Sequence, residues 1–331
     1  MEKKYDVFGI GNALLDCVYM VEDKFLEENK IEKGLMTLVD EKQQKSIIEK
    51  IKSYDSFIQS GGSVTNSVYT LSQLGGSGYV SFLVSDDDFG KIYLSDLKNS
   101  NVATAGSSFT TGKGMTGTCL VLTTPDAERT MNTCLSISSN FSIKNINLDD
   151  LKYAKYLYVE GYLVTSEIAM DAINECIQFA ISNDIKIALT FSDLSMVKYF
   201  KENFKSILKR KVDLLFCNED EAKTFSGFDS LNKSVDYLKN FTSNLVITQG
   251  EKGSLIINED EIIKIDPHNV KAIDTVGAGD AFAGSFLYGI TNGYTLKKSG
   301  DLASLLSSKV VSKIGPRLEK EEINSIKNFF K

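Results

Sequence analysis

Apolar positions along this chain follow two periods. Short, nearly continuous apolar runs at residues 5–10, 78–84, 156–160, 185–191, 212–217 and 245–249 have the length and polar borders of buried strands. Between and beyond them the spacing changes to that of helices. Residues 41–51 are amphipathic, and Val64, Val68, Leu71 and Leu74 repeat at helical intervals behind Ser60-Gly61-Gly62. In 166–182 the residues Ile168, Ala169, Ala172, Ile173, Cys176, Ile177 and Ala180 make one apolar stripe. A helix extending to Lys209 and two C-terminal helices over 296–314 and 320–330 complete the pattern. Residues 115–122 and 129–135, joined by Thr124-Pro125-Asp126-Ala127, read as a hairpin, and 17–39 as short irregular strands. Regular strand-then-helix order after about residue 150 predicts an α/β fold with a doubly wound, mainly parallel sheet and helices on both faces. The irregular segments, about 17–39 and 105–135, are expected to form a small β-lid on one domain spanning 1–331. Ligands on such a sheet bind at the carboxyl ends of the strands.

Chemistry-bearing residues cluster at those ends. The first strand runs into Gly9-Ile10-Gly11-Asn12-Ala13-Leu14-Leu15-Asp16, which lacks the glycine a dinucleotide fingerprint needs where Leu14 stands, so an NAD-dependent oxidoreductase is disfavoured. Asp16 reads either as an acceptor for a ligand diol or as a turn former. Gly61 and Gly62 permit close backbone approach, and Asn66, one turn into the next helix, carries both donor and acceptor. In Cys217-Asn218-Glu219-Asp220-Glu221, Asn218 and Glu221 share one helix face, suited either to holding Mg²⁺ through its waters or to complementing the helix dipole. Thr248, Gly250 and Gly253 form a glycine turn between strands. The most pointed stretch is Asp274-Thr275-Val276-Gly277-Ala278-Gly279-Asp280, which opens into an apolar helix. Its glycines let successive N–H groups converge at a helix mouth, a place for an anion such as phosphate. Asp280 there is either a plain N-cap or a base facing a hydroxyl at the same anion.

Composition narrows the classes. The net charge is −7 without a basic block, which argues against a nucleic-acid partner. Five scattered cysteines include no Cys-x-x-Cys pair, which disfavours a disulfide framework or thiolate zinc site and points to a reducing, cytoplasmic setting. No apolar run approaches the roughly 18 residues of a membrane span, and the N-terminus shows no h-region. His268 is the single histidine, in a polar turn. Arg129, Arg210 and Arg317 are the only arginines, which makes each guanidinium worth following. Asp86-Asp87-Asp88 lacks the ligand spacing of an EF-hand loop and reads as a solvated turn.

The run 274–287 resembles the C-terminal signature of the ribokinase-like, or pfkB, carbohydrate kinase family. That resemblance implies a catalytic base at Asp280 and an anion hole from Gly277, Ala278 and Gly279. Gly-Asn-Ala-Leu-Leu-Asp and Arg129-Thr130-Met131-Asn132 are similar to segments of the bacterial adenosine kinase-like branch, with Ala13 replacing a proline. By the same resemblance Asp16 holds ribose hydroxyls together with Asn12, Gly61, Gly62 and Asn66 contact the sugar, and Arg129 reaches towards the transferred phosphate. Thr248, Gly250, Gly253 and Asn218 then serve ATP, and Asn218 with Glu221 serves Mg²⁺. Asp274 with the 313–315 backbone is offered as a potassium site, and pairing of two copies through the lid is an arrangement seen in some members. Ser85 replaces a glycine in the family's Gly-x-Asp-x-x-Gly segment. The expected activity is ATP-dependent phosphorylation of a primary, 5′-type hydroxyl of a small-molecule nucleoside or ribose-like sugar, adenosine first. Ribose and fructose remain alternatives, as does a catalytically silent nucleoside- or sugar-binding protein. Tyr162, Met36 and Leu135 read equally as walls for a base or as core.

Overall fold

The computed structural model describes residues 2–54, 56–126, 128–210, 212–259 and 261–330. Its strands are, in chain order, β1 (Tyr5–Ile10), β2 (Leu14–Met20), β3 (Met36–Leu38), β4 (Ser56–Ser60), β5 (Gly78–Ser81), β6 (Val84–Ser85), β7 (Thr111–Gly112) and β8 (Gly117–Thr123). They continue with β9 (Arg129–Cys134), β10 (Ala154–Val159), β11 (Lys186–Thr190), β12 (Val212–Asn218), β13 (Thr242–Thr248), β14 (Ser254–Asn258) and β15 (Glu261–Ile265). Eight of them form the main sheet in the order β15-β14-β13-β12-β11-β10-β1-β5. Pairing is parallel from β13 to β5, and β14 and β15 are added antiparallel at one edge.

Both faces of this sheet are covered, and the side-chain alternation of each strand divides the core in two. Phe8, Leu157, Val159, Leu189 and Leu215 pack on one face with the Glu167–Ser182 helix. Val7, Tyr158, Ala188, Leu214 and Phe216 pack on the other with the helices Ser63–Gln73, Ala278–Thr291 and Leu296–Val311. In the 167–182 helix the buried stripe takes Met170 and leaves Ile168 exposed, a one-position rotation from the stripe read in sequence. The helix expected to run to Lys209 is two, Leu194–Tyr199 and Lys201–Leu208, because Phe200 leaves helical geometry to pack against the core. Asp87 is not a solvated turn residue. It caps the Asp88–Asn99 helix and accepts from Gly90 N–H, Thr116 N–H and Thr116 Oγ1.

A second sheet, β3-β9-β8-β2-β4, lies over the carboxyl ends of the first. It contains the predicted hairpin as β8 and β9, although Ala127 of its turn lies outside the described residues. It also recruits β2 and β4, which the expected lid boundaries miss in part or whole. β2 starts only four residues after β1 ends and pairs with β8 in parallel and β4 antiparallel, a long-range choice that local spacing does not encode. Asp16 therefore sits within a lid strand, opposite Cys119 and Gln59. The underside of the lid, Val18, Cys119 and Val121, packs directly on Val276 of the glycine turn. No helix among the described residues is long and apolar enough to cross a membrane.

Candidate active site

The strand order reverses between β10 and β1, and at such a switch point the crevice outside the carboxyl ends of the strands is the natural ligand site. A cleft of about 370 Å³ lies there, under the lid. Asn12 follows β1 and Glu160 follows β10, and the two are locked together. Asn12 N–H and Nδ2 both donate to Glu160 Oε1 at 3.1 Å, while Val64 N–H donates to Oε2 at 3.1 Å. Burial raises the Glu160 carboxyl to about 7. The side chain expected to touch a sugar is thus held by a neighbour that sequence reading overlooks.

At the opposite wall Gly277 adopts φ 71° and is the N-cap of the Ala278–Thr291 helix. A Cβ there would sit 2.3 Å from the Pro316 carbonyl oxygen, so the turn closes only with glycine. Gly279 differs: a Cβ on it would meet nothing within 4 Å, and it faces the cleft. Asp280 occupies the third helical position and makes no capping bond, which removes the plain N-cap alternative. Its carboxylate reaches across to the Ser63–Gln73 helix, accepting from Ser63 Oγ at 2.6 Å and Asn66 Nδ2 at 2.9 Å. Desolvation raises its pKa against the opposing pull of those two hydrogen bonds. Ser63 is a second group that sequence reading misses, since its partner lies 217 residues away.

Asp16 is buried and lines the cleft. Desolvation lifts its carboxyl to about 7, with Arg317 working in the opposite direction. Gly61 is explained by this carboxylate: a Cβ would fall 2.3 Å from Asp16 Oδ1. Gly62, at φ 91°, similarly leaves room for the Asn12 carbonyl. Both glycines serve contacts within the protein, and only Gly62 borders the cleft. Asn66 borders it too, yet its amide is engaged on both sides, by Asp280 and by Arg317 Nε at 2.8 Å.

Arg129 is not on the surface. It descends from β9 into the cleft, with Nε 2.8 Å from Asp274 Oδ1 and Nη2 donating to Thr275 Oγ1 at 3.2 Å. Asp274, fully buried, also accepts from Val276 N–H and Gly315 N–H. Glu221 and Asn218 form a reciprocal capping box at 2.8 Å and both face the cleft, with burial raising Glu221 to about 7. Among the described residues no cluster of three His, Cys, Asp or Glu can enclose a metal ion. One buried carboxylate fits Mg²⁺, which commonly keeps its waters and takes its remaining ligands from phosphates. Thr248 borders the cleft, whereas Gly250 and Gly253 do not. Met36, Leu135 and Tyr162 all line it, as does Met131.

An anion cup beside a poised carboxylate, at the switch point of a parallel sheet, is equipment for moving a phosphoryl group onto an alcohol. Comparison with known proteins gives the lineage. The profile of the pfkB family carbohydrate kinases matches residues 51–323, and the chain belongs to that family. It is accordingly a phosphotransferase with a hydroxyl acceptor. The adenosine kinase of Saccharomyces cerevisiae is 25% identical over 340 positions, covering 95% of this chain and 97% of that protein. Among solved structures, the adenosine kinase from Sinorhizobium meliloti is 29% identical with a TM-score of 0.93, covering 98% of this chain and 99% of that one. A probable sugar kinase from Rhizobium etli is 28% identical with the same TM-score, covering 99% of each chain.

Proposed function

We propose that the protein is an ATP-dependent nucleoside kinase that phosphorylates the 5′ hydroxyl of adenosine, yielding AMP and ADP. The observation that carries this reading is the Asp280 carboxylate, held by Ser63 and Asn66 at the open end of the Gly277 to Gly279 turn. As the acceptor oxygen attacks the terminal phosphorus, its proton passes to Asp280, and the bond to the departing ADP breaks. The N–H groups at the helix mouth stabilise charge on the migrating phosphoryl group. Mg²⁺, held through water by Glu221 and Asn218, would draw charge from the nucleotide phosphates. Thr248, which lines the cleft, contacts the nucleotide in this reading, and Gly250 and Gly253 shape the turn that follows it. Asp16 accepts from the ribose hydroxyls, and Met36, Leu135 and Tyr162 offer an apolar surface to the base. Relatives bearing the name adenosine kinase align over nearly their whole length, which supports a nucleoside over a free sugar.

Arg129 serves the phosphates by exchanging Asp274 for them. A potassium ion at Asp274 enters this scheme only as a competitor, since that carboxylate already receives the guanidinium and two backbone N–H groups.

The test measures ADP release with adenosine, inosine, ribose and fructose, for the wild type and Asp280→Asn. Adenosine is expected to be the best acceptor, and the variant to lose about 10²- to 10⁴-fold in kcat, the range of general-base catalysis, while keeping its adenosine affinity. Turnover with free sugars alone would remove the nucleoside assignment. Binding without ADP release for every ligand would make the protein a silent binder, and near-normal kcat in the variant would clear Asp280 of its role.

A further inference from the structure

Arg317 lies between the helices Leu296–Val311 and Lys320–Phe330, directly after Pro316, on which Gly277 packs. It does not line the cleft, and its side chain is only 8% exposed. A buried guanidinium is costly unless it is well paired, so its partners carry information. Nη1 donates to Asp96 Oδ2 at 2.6 Å, from the Asp88–Asn99 helix. The guanidinium carbon stands 4.6 Å from the centre of the Tyr69 ring, a cation–π contact. The Tyr69 hydroxyl in turn donates to the Leu318 carbonyl at 3.1 Å, fixing the backbone beside Arg317. Held on those sides, Nε points at Asn66 Oδ1 at 2.8 Å.

The last contact has a directional consequence. A carboxamide presents an acceptor at one end and donors at the other, and only the donor end can face a carboxylate favourably. A guanidinium can only donate, so its bond to Oδ1 dictates that Nδ2 faces Asp280, where it donates to Oδ2 at 2.9 Å. We infer that Arg317 is a positioning residue for phosphoryl transfer, which acts through Asn66 to fix the Asp280 carboxylate in the orientation that receives the acceptor proton. This rests on the base role proposed for Asp280.

Charge balance points the same way. Asp280 has acidic neighbours in Asp16 and Glu160, and the Tyr158 and Tyr162 hydroxyls also feel its charge. Against these stand two guanidinium groups, Arg129 and Arg317, both of which oppose the desolvation of Asp280. Arg129 is paired with Asp274 and Arg317 with Asp96, but Arg317 also donates to Asn66, the residue that holds Asp280.

The experiment is a double-mutant cycle on the full-length protein, with Arg317→Gln, Asn66→Ala and the combination, plus Arg317→Lys and Asp96→Asn. It reads kcat and KM for Mg-ATP and adenosine across pH, and separately the titration of the Asp280 carboxyl by carbon-13 NMR in the ligand-free protein. Losing a charged hydrogen bond predicts a fall of about 10- to 100-fold in kcat for Arg317→Gln with little change in KM. The acid limb of its pH profile and the Asp280 titration should both move to higher pH. On the Asn66→Ala background the same substitution should cost no more than about twofold in plateau kcat, because the hydrogen-bonded path to Asp280 is already cut and only the direct charge effect on the acid limb is left. Arg317→Lys should restore the acid limb but not the plateau, and Asp96→Asn should resemble a weaker Arg317→Gln. If Arg317→Gln does not fold, the Lys and Asp96 variants carry the same cycle. Equal losses on both backgrounds, or an unmoved Asp280 titration, would overturn the inference. A wild type inactive with every acceptor would instead refute the kinase reading, while the titration still reports on Arg317.

Discussion

Gly279→Ala separates the requirements of the fold from those of the reaction. The position lies inside the first turn of the Ala278–Thr291 helix, and the added Cβ meets no atom within 4 Å. Glycine costs roughly 0.5–1 kcal/mol relative to alanine within a helix, so the variant should be as stable as the wild type or slightly more so. In the proposed mechanism the space the methyl enters, open to the cleft, is the cup that receives the migrating phosphoryl group. If the methyl withholds one N–H donor from that group, kcat should fall about 10²- to 10³-fold, or some 2.7–4 kcal/mol of transition-state stabilisation. The neighbouring glycine sets the contrast. Gly277→Ala would drive a Cβ to 2.3 Å from the Pro316 carbonyl oxygen at a left-handed residue, and should lose stability and activity together. Urea unfolding gives stability, and ADP release at saturating adenosine and Mg-ATP gives kcat. A Gly279→Ala enzyme of normal stability and normal kcat would show that no phosphoryl group approaches this turn, and the mechanism built on it would fall.

The turn between β13 and β14, proposed above to meet the nucleotide, offers a similar division. Gly253→Ala places a Cβ 2.1 Å from the Ile265 carbonyl oxygen at φ 89° and should cost at least about 2 kcal/mol in urea unfolding, whereas Gly250→Ala, at φ 57° with open space around it, should cost only about 1 kcal/mol. A rise in KM for ATP in Gly250→Ala supports its nucleotide role, and an unchanged KM removes it. Stability of the ligand-free protein should also fall as pH rises from about 5 to 7.5. Asp16, Glu160 and Glu221 are pushed up to about 7 by burial, so within this window the folded chain holds protons that the unfolded chain has released. Between its unfolded and folded values each such carboxylate contributes a slope of up to about 1.4 kcal/mol per pH unit, so its stabilisation is fully present below the unfolded value and is lost as pH rises through the folded one. Asp16→Asn should flatten the dependence, and a urea midpoint constant or rising across that range would contradict the burial.

The sheet and the motifs along it are largely legible in the sequence because both depend on local pattern. A parallel strand buried on two faces must be apolar throughout, and the residue following it must be small or polar to meet a ligand. Asn12, Asn218 and Thr248 stand at the carboxyl ends of β1, β12 and β13, where those rules predict, whereas Asp280 lies in a helix that follows no strand of the parallel sheet directly. Sequence does not show to which partner a polar side chain is committed. Asn66 reads as a sugar contact, yet it bridges Asp280 and Arg317, each more than 200 residues away. Glu160 reads as the end of a strand, yet it secures Asn12 and Val64 across the switch point.

The glycines sharpen this point. Gly61, Gly62, Gly277 and Gly279 look alike in sequence, as flexible residues near an anion or a sugar. Three of them are demanded by the protein itself, by Asp16 under Gly61, the Asn12 carbonyl under Gly62 and Pro316 under Gly277. Gly279 alone of the four is demanded by no contact among the described residues. A motif is therefore a mixture of residues selected by folding and residues selected by the ligand, and the space around each Cα distinguishes them. On that criterion the phosphoryl group should be felt first at Gly279, and substitutions at the other three should reach the reaction only by moving Asp16, Asn12 or the helix mouth.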